Sequence, residues 1–145
     1  MKISKRFAAA IFCIILAIIA ILALASGQKP FEHLEASDIA AAEVRLTPPD
    51  KTVRIADMKE LAGYLNEAVV YHKDNSYTEY CGQGVVFTLT MADGSQREIM
   101  AYNPFLVIDG VGYRTKYAPC NALNSYANGL LDAEDAAILM REPPR

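Results

Sequence analysis

Few residues of this chain have the side-chain types that covalent catalysis requires. His72 could act as the base for a thiol nucleophile at Cys81 or Cys120, because such catalysis places a base beside the thiol. The residues that flank them match no catalytic motif. A solvated loop histidine, with cysteines that are inert or bonded to each other, explains the same residues. We therefore predict no catalytic residue, and keep an enzyme that uses His72 and Cys81 as the alternative.

The polar stretch 72–83 also holds residue types that bind metal ions. His72, Asp74, Glu79 and Cys81 could in principle supply ligands. Their spacing matches no known zinc or calcium pattern, and carboxylates in a polar loop are usually just solvated. We predict no metal and no cofactor. Metal binding through His72 and Cys81 stays part of the alternative.

Cys81 and Cys120 form a candidate disulfide. In an oxidising compartment a pair of cysteines is interpreted first as a bridge. A bridge here would stabilise the fold by roughly 4 kcal/mol, because it closes a loop of nearly forty residues in the unfolded chain. Two unpaired thiols are the other interpretation, and the sequence leaves both open.

Tyrosines and cations indicate a candidate recognition surface. Tyr102, Arg114 and Lys116 fall on the predicted sheet face that points away from the core. Tyrosine is amphipathic and common at protein interfaces. An ordinary solvated sheet face explains the same residues, but Tyr102, Arg114 and Lys116 are the residues we predict to contact a partner.

The N-terminal segment predicts where these residues are located. Phe7 to Ala25 contains no charged and no strongly polar side chain, and Lys2, Lys5 and Arg6 precede it. As a helix it would measure about 28 Å, close to the ~30 Å of a bilayer core. This predicts a signal anchor that spans the membrane through residues 7–25.

The orientation follows from the cations, which hold the N-terminus in the cytoplasm and leave the C-terminal domain extracytoplasmic. Two alternatives remain. Ala23-Leu24-Ala25 resembles a signal-peptide cleavage site, and cleavage at Ala25 would make the protein secreted. The segment could also be a buried helix of a soluble protein.

Length and charge limit the function classes. The chain has 145 residues and a net charge of −3, and all 17 acidic residues follow Ala25. An acidic domain is a poor nucleic-acid binder, since phosphate binding needs clustered Lys and Arg.

The predicted parts are an anchor or signal peptide over 1–25, a linker over 26–36, one extracytoplasmic domain over 37–140 and a flexible tail over 141–145.

The pattern beyond the linker predicts an α+β fold, with four or five antiparallel strands and one main helix on one face. The helix begins at Asp57, an N-cap with Glu60 three residues later. A three-residue loop at 92–94 would pair Phe87 with Ile99. A two-residue turn at 109–110 would pair Leu106 with Tyr113. Short helices follow, the first ending at Asn128-Gly129.

This order of elements resembles the small uncharacterised exported or lipoprotein domains of Gram-positive bacteria, the YhfM-like group. The resemblance covers about residues 44–131 and rests on the capped helix and the two Asp-Gly hairpins. The chain departs from the lipoprotein pattern, because Cys13 lacks the small residue required just before an attachment cysteine. The resemblance implies an α+β fold and an exported setting, and it implies no activity.

Together these features predict a membrane-tethered extracytoplasmic domain that is not an enzyme. We expect a binding or accessory module for an envelope protein or a small ligand, with no nucleic-acid partner. A purely structural exported domain is a third interpretation.

Overall fold

The computed structural model describes residues 5–141 of the chain. These form three α-helices and seven β-strands. The helices are α1 (Lys5–Ala25), α2 (Met58–Asn66) and α3 (Tyr117–Arg141). The strands are β1 (Ile39–Thr47), β2 (Lys51–Ile55), β3 (Val70–Lys73), β4 (Gly84–Met91), β5 (Gln96–Tyr102), β6 (Phe105–Ile108) and β7 (Val111–Thr115).

The seven strands form one antiparallel sheet in the order β2-β1-β4-β5-β6-β7-β3. Alternating residues face its two sides, because successive side chains of a strand point in opposite directions. Val44, Phe87, Ile99 and Leu106 face the side that we call the inner face. Helices α2 and α3 cover that face, and the opposite side is called the outer face.

The main core lies between the inner face and these two helices. Leu61 and Leu65 of α2 and Leu123 and Ala127 of α3 are fully buried against the strands. The residues spaced three or four apart on each helix form one apolar stripe, which burial against the sheet removes from water. Phe31, from the segment predicted as a linker, belongs to the same buried cluster.

The predicted registers of both hairpins are confirmed. Phe87 pairs with Ile99 across the β4–β5 hairpin, and Leu106 pairs with Tyr113 across the β6–β7 hairpin. Gly94 has a φ of 85° and Gly110 a φ of 80°. Glycine adopts this left-handed conformation without steric cost, which explains its place in both turns.

The start of α2 is also as predicted. The Asp57 side chain accepts a hydrogen bond of 2.9 Å from the backbone N–H of Glu60. This bond satisfies one of the N–H groups that the first helical turn leaves without an intrahelical partner.

The predicted number of strands is wrong, because the sheet has seven strands and not four or five. The two edge strands, β2 and β3, are short, with five and four residues. His72 and Lys73 were expected to belong to a polar connection over residues 72–83. They lie instead in β3, which pairs with β7 and has Val70 opposite Thr115.

The prediction of short C-terminal helices is also wrong. Helix α3 runs without a break from Tyr117 through Asn128 and Gly129 to Arg141. Ala127 and Leu131, on either side of the expected break, are both buried. Their burial outweighs the roughly 1 kcal/mol that glycine costs inside a helix.

The membrane predictions are contradicted. Within residues 5–141, no helix combines the length and the apolar character needed to cross a bilayer. The predicted transmembrane anchor over 7–25 and the single-pass membrane location are therefore wrong.

Candidate functional site: the strap over the outer face

Residues 74–82, which we call the strap, cross the outer face from β7 to β5. At its start, the Asp74 N–H donates to the Gly112 carbonyl at 2.9 Å, and the Asn75 side chain accepts from the Gly112 N–H at 2.8 Å. At its end, Gly82 lies against the ring of Tyr102. A polar stretch with no periodicity is therefore ordered by backbone groups of the strands beneath it.

The strap covers a second, smaller apolar cluster. Phe105 and Val107 point to the outer face, yet Phe105 is fully buried and Val107 is nearly so. The rings of Tyr77 and Tyr80 lie 6.4 Å and 5.4 Å from that of Phe105, centroid to centroid, and both pairs are tilted. Tilted aromatic pairs at this separation are favourable contacts. Strand β6 is thus buried on both sides.

Arg114 is fixed at the rim of this cluster. Its Nε donates to the Asp74 carboxylate at 2.7 Å, and its guanidinium carbon lies 4.4 Å from the centre of the Phe105 ring. A guanidinium over an aromatic face gains a cation–π attraction in addition to the ion pair. The side chain is therefore held in one position while 34% of it stays exposed.

The hydrogen bonds around Asp74 stabilise its charged form. The bonds that Ser76 donates, followed by the pair with Arg114, lower the pKa of Asp74 from 3.8 to about 2. The bond with Asp74 in turn raises the pKa of Arg114. Asp74 and Arg114 are both charged at neutral pH, so the strap is joined to β7 by an ion pair.

Two of the three predicted recognition residues, Tyr102 and Arg114, lie at this site. Tyr102 of β5, Phe105 of β6 and Arg114 of β7 stand opposite one another across the strands, so they share the outer face. Tyr102 is half-buried beside Gly82, and Lys116 is exposed just after β7. The structure thus places Tyr102 and Arg114 together, with the strap beside them.

Three exposed tyrosines lie on elements that adjoin Arg114, and one of them, Tyr80, interacts with it. The exposed fractions are 39% for Tyr71, 53% for Tyr80 and 66% for Tyr117. Tyr71 lies on β3, which pairs with β7, Tyr80 lies on the strap, and Tyr117 is the first residue of α3. We call these three residues, together with Arg114 and Lys116, the tyrosine surface.

The sequence did not predict which residues hold Arg114. Asp74, Tyr80 and Phe105 contact it, and none of them was among the residues predicted to contact a partner. A signal existed in the four apolar residues of β6, Phe105 to Ile108. A continuous apolar run is typical of a strand buried on both faces, so it indicates a cover over the outer face.

The predicted disulfide is wrong, because Cys81 and Cys120 are both free thiols. Cys81 is exposed in the strap, whereas Cys120 is buried in α3, where its Sγ lies 3.4 Å from the Phe105 carbonyl oxygen. Burial raises the pKa of Cys120 to about 12. The Cys120 thiol is therefore protonated at neutral pH, the form that is not a nucleophile.

The candidate metal ligands do not assemble either. Among the described residues, no group of three or more His, Cys, Asp and Glu side chains is placed to hold a metal ion. Asp74 is bonded to Arg114 and Ser76, while His72 lies exposed on β3 and Cys81 exposed in the strap.

Comparisons with known proteins give no further assignment. No protein-family model, no curated protein and no solved structure matches the chain. The resemblance to YhfM-like domains therefore remains a prediction from the sequence.

Proposed function

We propose that this protein is a binding module with no reaction of its own, and that it recognises a partner protein through the tyrosine surface. The observation that carries this proposal is the fixed position of Arg114 between Asp74 and Phe105, next to the exposed ring of Tyr80. A side chain that is already ordered loses little conformational entropy on binding. Arginine and tyrosine are also the residues that most often dominate the binding energy of interfaces.

The chemistry of the surface indicates the kind of partner. Arg114 and Lys116 supply positive charge. The bond of Arg114 to Asp74 uses Nε, and Tyr80 also interacts with the guanidinium. A carboxylate on the partner would accept hydrogen bonds from the guanidinium N–H groups that remain and from Lys116. The tyrosine rings would contact apolar groups around it. We therefore infer a partner that presents an acidic side chain among apolar ones.

The alternative of a Cys/His enzyme or metal site at His72 and Cys81 has no contact in its favour. We do not adopt it, and the experiment below includes variants that test it.

The proposal is tested by comparing capture of partners from the protein's native cells, with cross-linking and quantitative mass spectrometry. The surface variant combines Tyr80→Ser with Lys116→Glu. The matched control combines Glu43→Lys with Thr88→Ser on the uncovered part of the same sheet face. We expect at least one protein to be captured by the wild type and the control, and to be lost with the surface variant.

Two results would contradict the proposal. One is equal capture by the surface variant and the control. The other is loss of the biological activity in His72→Ala or Cys81→Ser alone, with the fold intact by chemical denaturation, which would favour the enzyme instead.

A further inference from the structure

Residues of α2 and α3 line a groove on the surface of the domain. It consists of two adjoining cavities of about 420 Å³ and 360 Å³. Glu60 and Tyr64 of α2 line both cavities. Each cavity falls in the size range of small-ligand sites, which is about 300–1,000 Å³.

The groove is open because small residues face it. Gly63 on α2 and Gly129 on α3 both line it, and a Cβ built on either would have no atom within 4 Å. Larger residues at these positions would favour the helix and fill the groove. The two glycines therefore leave space that packing of the domain does not require.

A tyrosine whose hydroxyl is buried lines the groove. Tyr126 lines the second cavity and is 8% exposed, and its ring stacks on that of Tyr64 with 4.7 Å between centroids. Its hydroxyl has no hydrogen-bond partner among the described residues. Leaving a buried polar group unpaired costs about 1–3 kcal/mol. A ligand that forms a hydrogen bond with the hydroxyl would remove this cost.

Glu60 supplies negative charge at the groove. Glu67, the residue after α2, also lines the first cavity, but it is paired with Lys29 at 3.3 Å. The pKa of Tyr126 is raised to about 12, first by burial and then by the charges of Glu60 and Asp57. The hydroxyl therefore stays neutral and its oxygen can accept a hydrogen bond.

We propose that this groove binds an organic cation, the lysine or arginine side chain of a partner polypeptide, between the Tyr64 ring, the Tyr126 hydroxyl and the Glu60 carboxylate. The cation would pair with the carboxylate and donate an N–H to the Tyr126 oxygen. The tyrosine rings attract a cation at their faces. The apolar groove walls at Pro119 and Ala122 would contact the methylenes that carry the charge.

Two capped tripeptides test this with the full chain labelled for NMR. The probe is acetyl-Leu-Arg-Leu-amide, and its neutral match is acetyl-Leu-Gln-Leu-amide. We expect saturable shifts of the Gly63 and Gly129 amide signals with the arginine peptide, at a Kd in the millimolar range. The glutamine peptide should bind about tenfold more weakly, since it loses both the ion pair and the cation–π contact.

Tyr126→Phe is the most informative variant. It removes the unpaired hydroxyl, so the unfolding midpoint should stay equal or rise, while the arginine peptide should bind about five- to tenfold more weakly. A merely structural tyrosine would give no such loss of binding. Gly129→Leu should abolish binding by filling the groove, whereas Gly129→Ala should retain it, and neither should lower the midpoint.

Several outcomes would overturn the proposal. They are the absence of saturable shifts up to about 20 mM peptide, equal binding of the two peptides, and wild-type binding by Gly129→Leu. Free arginine amide is the last probe. If it bound as tightly as the arginine tripeptide, a small free cation and not a polypeptide would be the ligand, which would overturn the assignment of the partner.

Discussion

The three cysteines differ in how far solvent reaches them, and this makes their reactivity predictable. Cys13 and Cys81 are exposed and Cys120 is buried. In a Cys13→Ser variant near pH 8, a thiol reagent should label Cys81 rapidly and label Cys120 only after denaturant unfolds the protein. Absorbance of the released chromophore measures both phases. Rapid labelling of two thiols in the folded protein would contradict the burial of Cys120.

A second prediction at the scale of single residues concerns acid pH. The pKa of Asp74 lies at about 2 in the folded protein and at 3.8 without its partners. Because the folded value is the lower one, ionised Asp74 stabilises the fold above about pH 4, and this contribution is lost as the pH falls through about 2. Asp74→Asn should therefore unfold at lower urea than the wild type at pH 6.

The same two proteins should converge as the pH is lowered from about 4 to 2, since the wild type then loses the charge that the variant lacks. Urea midpoints at each pH measure the difference. A difference that stays constant across this range would show that Asp74 acts through something other than its charge.

At the scale of elements, the strap depends on the absence of a side chain at Gly112. A Cβ there would lie 2.4 Å from the Asp74 carbonyl oxygen and 2.6 Å from Cδ1 of Tyr77. Gly112→Ala should thus displace the strap and lower the free energy of unfolding by about 1–3 kcal/mol.

The matched control is Gly63→Ala on α2, where the new methyl group meets no atom within 4 Å. It should raise the free energy of unfolding by about 0.5–1 kcal/mol, because alanine favours a helix over glycine. Urea denaturation measures both variants. A stable Gly112→Ala protein would mean that the strap does not lie as described.

What the sequence predicts at this scale is the local structure. The hairpin registers and the Asp57 cap depend on residues within a few positions of one another, and both are confirmed. The path of the strap and the length of α3 could not be predicted in this way. They depend on burial of Phe105 and of Ala127 by partners far along the chain, so tertiary packing overrides the local turn signals.

In the candidate site too, the sequence predicts the local features and does not predict the contacts between distant residues. Alternation along the strands correctly put Tyr102 and Arg114 on one face, because that follows from the two-residue period. The ion pair between Arg114 and Asp74 joins residues forty positions apart. No sequence pattern gives that contact, since it requires β3 and β7 to be neighbours.

At the scale of the whole molecule, the chain that follows α1 is bonded to the sheet edge at Val70. Every side chain described in α1 is exposed, and after this helix Gln28 exchanges two hydrogen bonds with Val70, of 2.7 Å and 2.8 Å. A chain that begins at Ser26 should therefore unfold at the same urea concentration as the full chain. A chain that begins at Pro30 should be less stable by about 1–2 kcal/mol, because it loses both bonds.

Denaturation followed by far-ultraviolet circular dichroism compares the three chains. If the chain that begins at Ser26 lost as much stability as the one that begins at Pro30, α1 itself would stabilise the sheet.

The bond pair between Gln28 and Val70 also makes the domain sensitive to mechanical load. A pull applied through α1 reaches the sheet first at β3, a strand of four residues at the sheet edge. The two bonds between Gln28 and Val70 are therefore the first to carry the load. Because Val70 belongs to the main core and β3 continues directly into Asp74, tension on α1 would act on the edge of the core and on the strap together.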